Sequence, residues 1–141
     1  MVKIKIATGE DLHDIIELYQ KGLEELGEPF KYELLVKKVT ESYILAPCFL
    51  VVFNDKIVGM AGFTLVTTSH SGVASLADYM FFVEKEHRNI KTLDTLMKAI
   101  KEFAMSHDLQ VRVDFLTGSL KARKRLLARY GFKVSSLVGV L

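Results

Sequence analysis

The chain has 141 residues, half of them hydrophobic, which suits the core of one folded domain and excludes a disordered segment. Its 19 Lys and Arg against 17 Asp and Glu leave a net charge of +2, too little to indicate a nucleic-acid or membrane partner. No apolar run approaches the roughly 20 residues that cross a bilayer, and the N-terminus alternates charged and apolar residues, unlike a signal peptide. We therefore expect a single cytoplasmic domain over residues 1–141.

Apolar spacing and turn residues divide the chain into short elements. Thr8 stands three residues before Asp11, as in a capping box that opens a helix, and Gly27 suits the left-handed residue after its last turn. Apolar residues then recur at helical spacing from Tyr32 until Pro47, where a helix cannot continue. The sequence therefore begins with a short strand and two amphipathic helices.

The rest of the chain alternates strands with helices. In chain order we predict strands at residues 2–7, 48–53, 57–66 and 75–83, a helix that begins within 88–93, a strand at 109–115, a helix closed by Gly131 and a last strand at 132–141. The turn residues 54–55 join two of these strands as a hairpin. The late strand-helix-strand crossovers favour parallel or mixed pairing.

Several reactive residue types occur without the pattern that their chemistry needs. Cys48 is the single cysteine and has no intrachain partner, so we interpret it as a small buried hydrophobe. The histidines lack a Ser or Cys partner in a nucleophile motif, and no residues stand at metal-ligand spacing. The basic residues between 121 and 129 fit a solvated helix face better than a phosphate-binding one, since no aromatics interleave them.

Three segments resemble the GNAT N-acetyltransferase superfamily. Residues 49–63 are similar to its paired strands, residues 82–88 to its strand exit, and residues 123–132 to its closing helix with Gly131-Phe132. The resemblance implies an α/β (α+β) fold with a central mixed sheet of about six to seven strands and about four helices on both faces. It also implies transfer of an acetyl group from acetyl-CoA to a primary amine of a small molecule or protein.

The resemblance places the acetyl-CoA site at the end of one central strand. In the family, two parallel strands splay apart there, and the following loop opens a helix whose N–H groups receive the pyrophosphate. The cofactor-binding residues that it implies are Phe82, Val83, Arg88, Asn89, Ile90, Lys91, Thr92 and Leu93.

Two positions of this loop depart from the family pattern. Lys91 stands where the family has Gly, and Leu93 stands where it has Gly or Ala. Lys91 could offer its charge to a phosphate or be solvated, and Leu93 could obstruct the phosphates or belong to the core. The alternative function is therefore a catalytically inactive GNAT-fold interaction or structural module.

The resemblance also implies where the catalytic groups lie. Asp78 and Tyr79 occupy the strand region where the family often carries an acidic residue, and neighbouring strand positions face opposite ways. Leu127 replaces the acid tyrosine of the closing helix, and Tyr130 nearby is better explained as core. The loop between the first two helices, with Phe30 and Tyr32, is the expected substrate-binding segment.

The apolar chain end, residues 137–141, needs cover, and domains of the family pair through sheet edges. We therefore expect a homodimer.

Overall fold

The computed structural model describes residues 1–67, 70–113, 125 and 127–131. The strands are β1 (Val2–Ile6), β2 (Cys48–Phe53), β3 (Lys56–Thr67), β4 (Ala74–Val83) and β5 (Gln110–Arg112), and the helices are α1 (Leu12–Leu26), α2 (Tyr32–Leu45) and α3 (Ile90–Ser106). Short 3₁₀ turns precede α1 and α3, and residues 125 and 127–129 are helical.

The described strands form one sheet in the order β1-β2-β3-β4-β5. The first three pairings are antiparallel, and β4 pairs with β5 in parallel. A parallel neighbour needs a crossover connection, and α3 provides it between β4 and β5. The α+β fold with a mixed sheet that we expected from the sequence is confirmed. The sheet has five described strands, against the six to seven predicted.

Helices cover both faces of the sheet, because the strands alternate their side chains between two cores. One buried cluster joins α1 and α2 to the sheet and includes Ile15, Val39 and Leu50. The other joins α3 to the opposite face and includes Phe49 and Ile100. Each fully buried side chain of this size contributes about 1.5–3 kcal/mol, so the two clusters fix which face each helix covers.

The predicted boundaries agree with the caps and turns. The Thr8 N–H donates to Asp11 Oδ2 at 2.8 Å, which is the reach-back half of a capping box. Gly27 has φ +72° and closes α1. Asn54 and Asp55, with φ +49° and +62°, form the two-residue turn between β2 and β3.

Parts of three predicted elements lie outside the described residues. The predicted strand at 109–115 is described at Gln110–Arg112. The helix closed by Gly131, whose φ is +80°, is described in part. The predicted last strand at 132–141, with the apolar end at 137–141, lies outside the described residues altogether.

Candidate active site

The described parallel pairing between β4 and β5 is confined to the first half of β4. Their pairing covers Ser75–Ala77 of β4, and Val113 already lies outside the strand. β4 itself continues for six more residues to Val83. Among the described residues, the edge of β4 that faces β5 is therefore open from Asp78 onward.

The register of β3 and β4 determines which backbone groups face this opening. Glu84 N–H donates to Val58 C=O at 2.9 Å, so these two residues form a hydrogen-bonded pair. Such pairs alternate along an antiparallel ladder, so Phe82 is bonded to Met60, whereas Phe81 and Val83 direct their N–H and C=O groups away from β3. The open edge thus presents the N–H and C=O of Phe81 and the N–H of Val83, whose C=O accepts a hydrogen bond from Arg88. The sequence pattern, which indicated Phe82 and Val83, did not reveal this alternation.

The loop after β4 leads directly into the N-terminus of α3. Asn89 is the N-cap, and its side chain accepts a hydrogen bond from the Thr92 N–H at 2.9 Å. The first bond along the helix runs from Leu93 N–H to Asn89 C=O, so the Ile90 and Lys91 N–H groups have no acceptor within α3. The predicted start of this helix within 88–93 is confirmed, and its N-terminus carries donors suited to an anion.

The two unusual residues of the loop point in different directions. Lys91 is exposed, and Leu93 packs against the buried cluster between α3 and the sheet. Thr92 is buried, and the Thr95 hydroxyl donates to Lys91 C=O at 2.8 Å. Leu93 is therefore partly buried at the edge of the core.

Arg88 has three partners inside the protein. Its Nε donates to Val83 C=O at 2.5 Å, and its Nη2 lies 2.7 Å from Glu25 Oε1 on α1. The guanidinium also lies over the Phe82 ring, with its carbon 5.3 Å from the ring centroid. That Arg88 contacts the cofactor stays a prediction, since its side chain is directed toward β4 and α1.

Asp78 and Tyr79 lie on opposite faces of β4, beside a β-bulge. Gly62 pairs with Met80 and Phe63 pairs with Asp78, so Tyr79 is the extra residue. Tyr79 belongs with Met80 to the α1 and α2 cluster, whereas Asp78 shares the α3 face with its partner Phe63. The predicted opposition of these neighbours agrees with the structure, and both are nearly inaccessible, at 5% exposure.

Tyr79 lies in an apolar environment. Its ring packs against Tyr19 with centroids 5.1 Å apart. Burial raises the pKa of the Tyr79 hydroxyl well above its ordinary value, and Cys48 adds to this effect. Burial likewise raises the pKa of the Cys48 thiol to about 12. Both groups are therefore protonated at neutral pH, and the predicted burial of Cys48 is confirmed.

The closing helix is fixed to α3 by a polar cluster. Arg129 Nε and Nη2 lie 3.2 and 3.1 Å from the Asp94 carboxylate, and the Tyr130 hydroxyl donates to the same group. Burial and the bond to Asp94 raise the pKa of Tyr130 to about 12. Leu127 packs against the α3 cluster. The structure thus gives Tyr130 a structural partner, in line with the sequence interpretation.

The predicted acceptor segment lies on the surface beside α1 and α2. Phe30 is 36% exposed and Tyr32 is 53% exposed, so both rings are available to a ligand. Lys38, one turn and a half along α2, lies with Nζ 5.9 Å from the centroid of Tyr79. α2 therefore connects this segment to the bulge.

Sequence reasoning missed Glu25 and Gly62 as contributors to the site, and it named Asn89 as a cofactor-binding residue but not as the N-cap of α3. Glu25 gives no local signal, because its partner Arg88 is 63 residues away. Asn89 immediately before a helix is a recognisable N-cap and could have been found. Within the described ranges, no group of three or more His, Cys, Asp or Glu could hold a metal ion. In the same ranges, no helix has the length and apolar character needed to span a membrane.

The sequence profile described as the Acetyltransferase (GNAT) family matches residues 9–132. The chain belongs to this family. Its members use acetyl-CoA, and by family and fold the chain is an N-acetyltransferase. Among curated protein sequences, none matches the chain.

Solved GNAT structures share the fold at low sequence identity. A predicted acetyltransferase with acetyl-CoA from Clostridium acetobutylicum is 14% identical, with TM-score 0.79 over 96% of this chain and 92% of that one. AAC(6′)-Iy, in complex with the bisubstrate analog CoA-S-monomethyl-acetylneamine, is also 14% identical, with TM-score 0.75 over 98% and 95%. The ribosomal-protein-alanine N-acetyltransferase of Brucella melitensis biovar Abortus 2308 is 14% identical, with TM-score 0.70 over 97% and 94%. At such identities the likeness concerns the fold alone.

Proposed function

We propose that this GNAT enzyme transfers the acetyl group of acetyl-CoA to a primary amine of a small molecule or protein, by direct attack of the amine on the thioester. The observation that carries the proposal is a row made of two sets of backbone groups, one at the open edge of β4 and one at the N-terminus of α3. This row offers amide-binding groups at one end and anion-binding donors at the other.

The dimensions of the row suit a ligand with phosphates and a long arm. With the phosphates at the N–H groups of Ile90 and Lys91, the arm runs back along Val83 and Phe81. The bulge at Tyr79 lies four residues before Val83, a distance of about 13 Å along an extended strand. Acetyl-CoA supplies an activated acetyl group at the end of such an arm. The expected cofactor-binding residues, Phe82, Val83 and the loop from Arg88 to Leu93, remain the proposed site, and Phe81 joins them because its backbone, unlike that of Phe82, faces the open edge.

The two residues at the bulge have different proton chemistry. Asp78 is the first residue of β4 after its described pairing with β5, and we propose that it accepts the proton that the attacking amine loses. Tyr79 keeps its proton at neutral pH, because its pKa is raised, so it can donate a hydrogen bond but cannot serve as the base. Otherwise the protein has to orient the amine against the thioester, and this orientation accounts for most of the catalysis.

The acceptor class remains a proposal. Phe30 and Tyr32 are exposed on the α2 side and are the proposed substrate contacts. Related folds include one named for a ribosomal-protein alanine and one solved with an acetylneamine analog, so both protein and small-molecule amines are included in the proposal.

The first experiment is a calorimetric titration with acetyl-CoA and CoA, followed by an acetylation assay against a panel of amines. We expect binding by the wild-type protein and release of free CoA only when an acceptable amine is present. No binding at millimolar ligand contradicts the proposal and favours the alternative of an inactive GNAT-fold interaction module.

A separate experiment tests the proposed role of Asp78 as the base. Asp78→Asn is expected to lower kcat by about 10²–10⁴-fold while CoA still binds, and Tyr79→Phe is expected to have a smaller effect. Full activity in Asp78→Asn, with unchanged CoA affinity, contradicts the role of Asp78 as the base.

We also propose the homodimer and the cytoplasmic location expected from the sequence. Light scattering over a range of concentrations tests the dimer, and a constant monomeric mass contradicts it.

A further inference from the structure

Two ion pairs connect α1 to the loop that follows β4. Lys21 Nζ lies 3.0 Å from Glu84 Oε1, and Glu25 Oε1 lies 2.7 Å from Arg88 Nη2. Lys21 and Glu25 are four residues apart and therefore occupy the same face of α1. The last two turns of α1 thus contact both ends of the loop between β4 and α3.

The pair between Glu25 and Arg88 is the better formed of the two. Its side chains are 25% and 26% exposed, whereas Lys21 is 54% exposed. Partly buried charges are screened less by solvent and salt than exposed ones. Glu25 therefore carries more of the contact between α1 and the loop than Lys21 does.

Arg88 transmits this contact to the end of β4. The same guanidinium that meets Glu25 donates to Val83 C=O and lies over the Phe82 ring. Val83 is one of the two residues whose backbone faces the open edge, and Asn89, the next residue after Arg88, caps α3. The position of Arg88 therefore affects both the end of β4 and the N-terminus of α3.

We propose that Glu25 is a positioning residue for the cofactor loop. By holding Arg88 against Val83, it fixes the path of the chain from β4 into α3 before the ligand arrives, which lowers the ordering cost of binding. Glu25 lies two residues before Gly27, where α1 ends and the proposed acceptor segment begins. Cofactor affinity thereby depends on α1, an element that the cofactor itself need not contact. The inference rests on the proposed binding of acetyl-CoA.

The test compares Glu25→Gln and Arg88→Gln, singly and combined, with Glu24→Gln as the matched control. Glu24 is a neighbouring exposed glutamate on α1, so its variant removes the same charge without removing the contact to Arg88. Calorimetry measures CoA affinity. Hydrogen exchange of the amides of residues 84–92 without ligand measures how well the loop is held.

Glu25→Gln is expected to weaken CoA binding by about three- to five-fold and to speed exchange in the loop, with an unchanged unfolding midpoint. Glu24→Gln should match the wild type, and the double variant should be no weaker than Arg88→Gln alone, because Glu25 acts through Arg88. Once an acceptor amine has been identified, the KM of Glu25→Gln for acetyl-CoA should be higher than that of the wild type, while kcat stays unchanged.

Wild-type exchange rates in Glu25→Gln overturn this inference, as do independent and additive effects of the two substitutions on CoA affinity. Absence of CoA binding in the wild type together with faster exchange in Glu25→Gln has a different meaning. It rejects the proposed function and leaves the hold of Glu25 on the loop supported.

Discussion

At the scale of single residues, Gly62 and Tyr79 depend on each other. The phenol ring of Tyr79 lies directly over Gly62, and a Cβ at Gly62 would be 2.3 Å from Tyr79 Cζ. The bulge at Tyr79 brings its side chain to the same face as Met80, and the missing side chain at Gly62 leaves the space that it occupies. A close approach between the Tyr79 ring and the backbone at Gly62 thus shapes the centre of the site.

Gly62→Ala is therefore expected to destabilise the fold by about 1–3 kcal/mol and to displace Tyr79. Gly9→Ala is the matched control, because its Cβ would lie 3.5 Å from the Tyr43 hydroxyl, an ordinary contact. Chemical denaturation measures the free energy of unfolding of both variants. Equal stability of the two variants contradicts the packing argument.

Asp11 links the first strand to the start of α1. Burial alone raises the pKa of its carboxyl, but the Thr8 N–H and the Lys5 ammonium, 3.0 Å away, outweigh burial and lower it below its ordinary value. A lowered pKa in the folded state means that the charged carboxylate stabilises the fold above about pH 4 and that this contribution is lost as the pH falls further.

Asp11→Ala is expected to cost about 1 kcal/mol at pH 7, the usual value of a lost helix cap, and less at pH 3. Asp14→Ala, which removes an exposed charge in the first turn of the same helix, serves as the control. Denaturant midpoints across this pH range provide the measurement. A cost that stays constant down to pH 3 contradicts the role of the ionised carboxylate.

At the scale of elements, the N-terminus of α3 differs from the usual family loop in its side chains but keeps its backbone donors. Leu93 packs against the core, and Lys91 lies in solvent. The exposed ammonium of Lys91 adds a positive charge where the helix dipole is also positive.

Lys91→Ala is therefore expected to weaken CoA binding by about five-fold, with a smaller effect at high salt, since an exposed charge is screened. Lys98→Ala, further along the exposed side of α3, should leave the affinity unchanged. Titrations of both variants with CoA at two ionic strengths measure these affinities. Equal affinity in both variants contradicts a phosphate contact by Lys91.

At the scale of the whole molecule, the site joins the sheet to helices on both of its faces. The open edge belongs to the sheet, the anion-binding donors to α3 and the support of Arg88 to α1. A ligand that spans β4 and α3 binds only when these elements are packed together. Binding should accordingly stabilise the complete domain.

CoA at about 100-fold above its Kd should add about 2.7 kcal/mol to the free energy of unfolding, or roughly 5–10 °C for a domain of this size. Adenosine diphosphate, which has phosphates without the arm, should give a smaller shift if the arm contacts β4. Thermal unfolding with each ligand measures this. Equal shifts contradict the contact along β4, and the absence of any shift contradicts binding.

The sequence by itself determined the positions of the described helices and strands and most of their ends. Thr8, Gly27 and the turn at residues 54–55 act through neighbouring backbone groups, so their effect can be recognised from residue type alone. The three segments that resemble the GNAT family likewise sufficed to indicate the fold. The family profile later confirmed this assignment.

Only the tertiary structure decided how these elements build the site. The bulge at Tyr79 depends on the register between β3 and β4, and the partner of Arg88 lies 63 residues away on α1. Leu93 could be assigned to the core only after α3 was packed on the sheet. Contacts of this kind arise from the packing of distant segments, which local propensity and spacing do not specify.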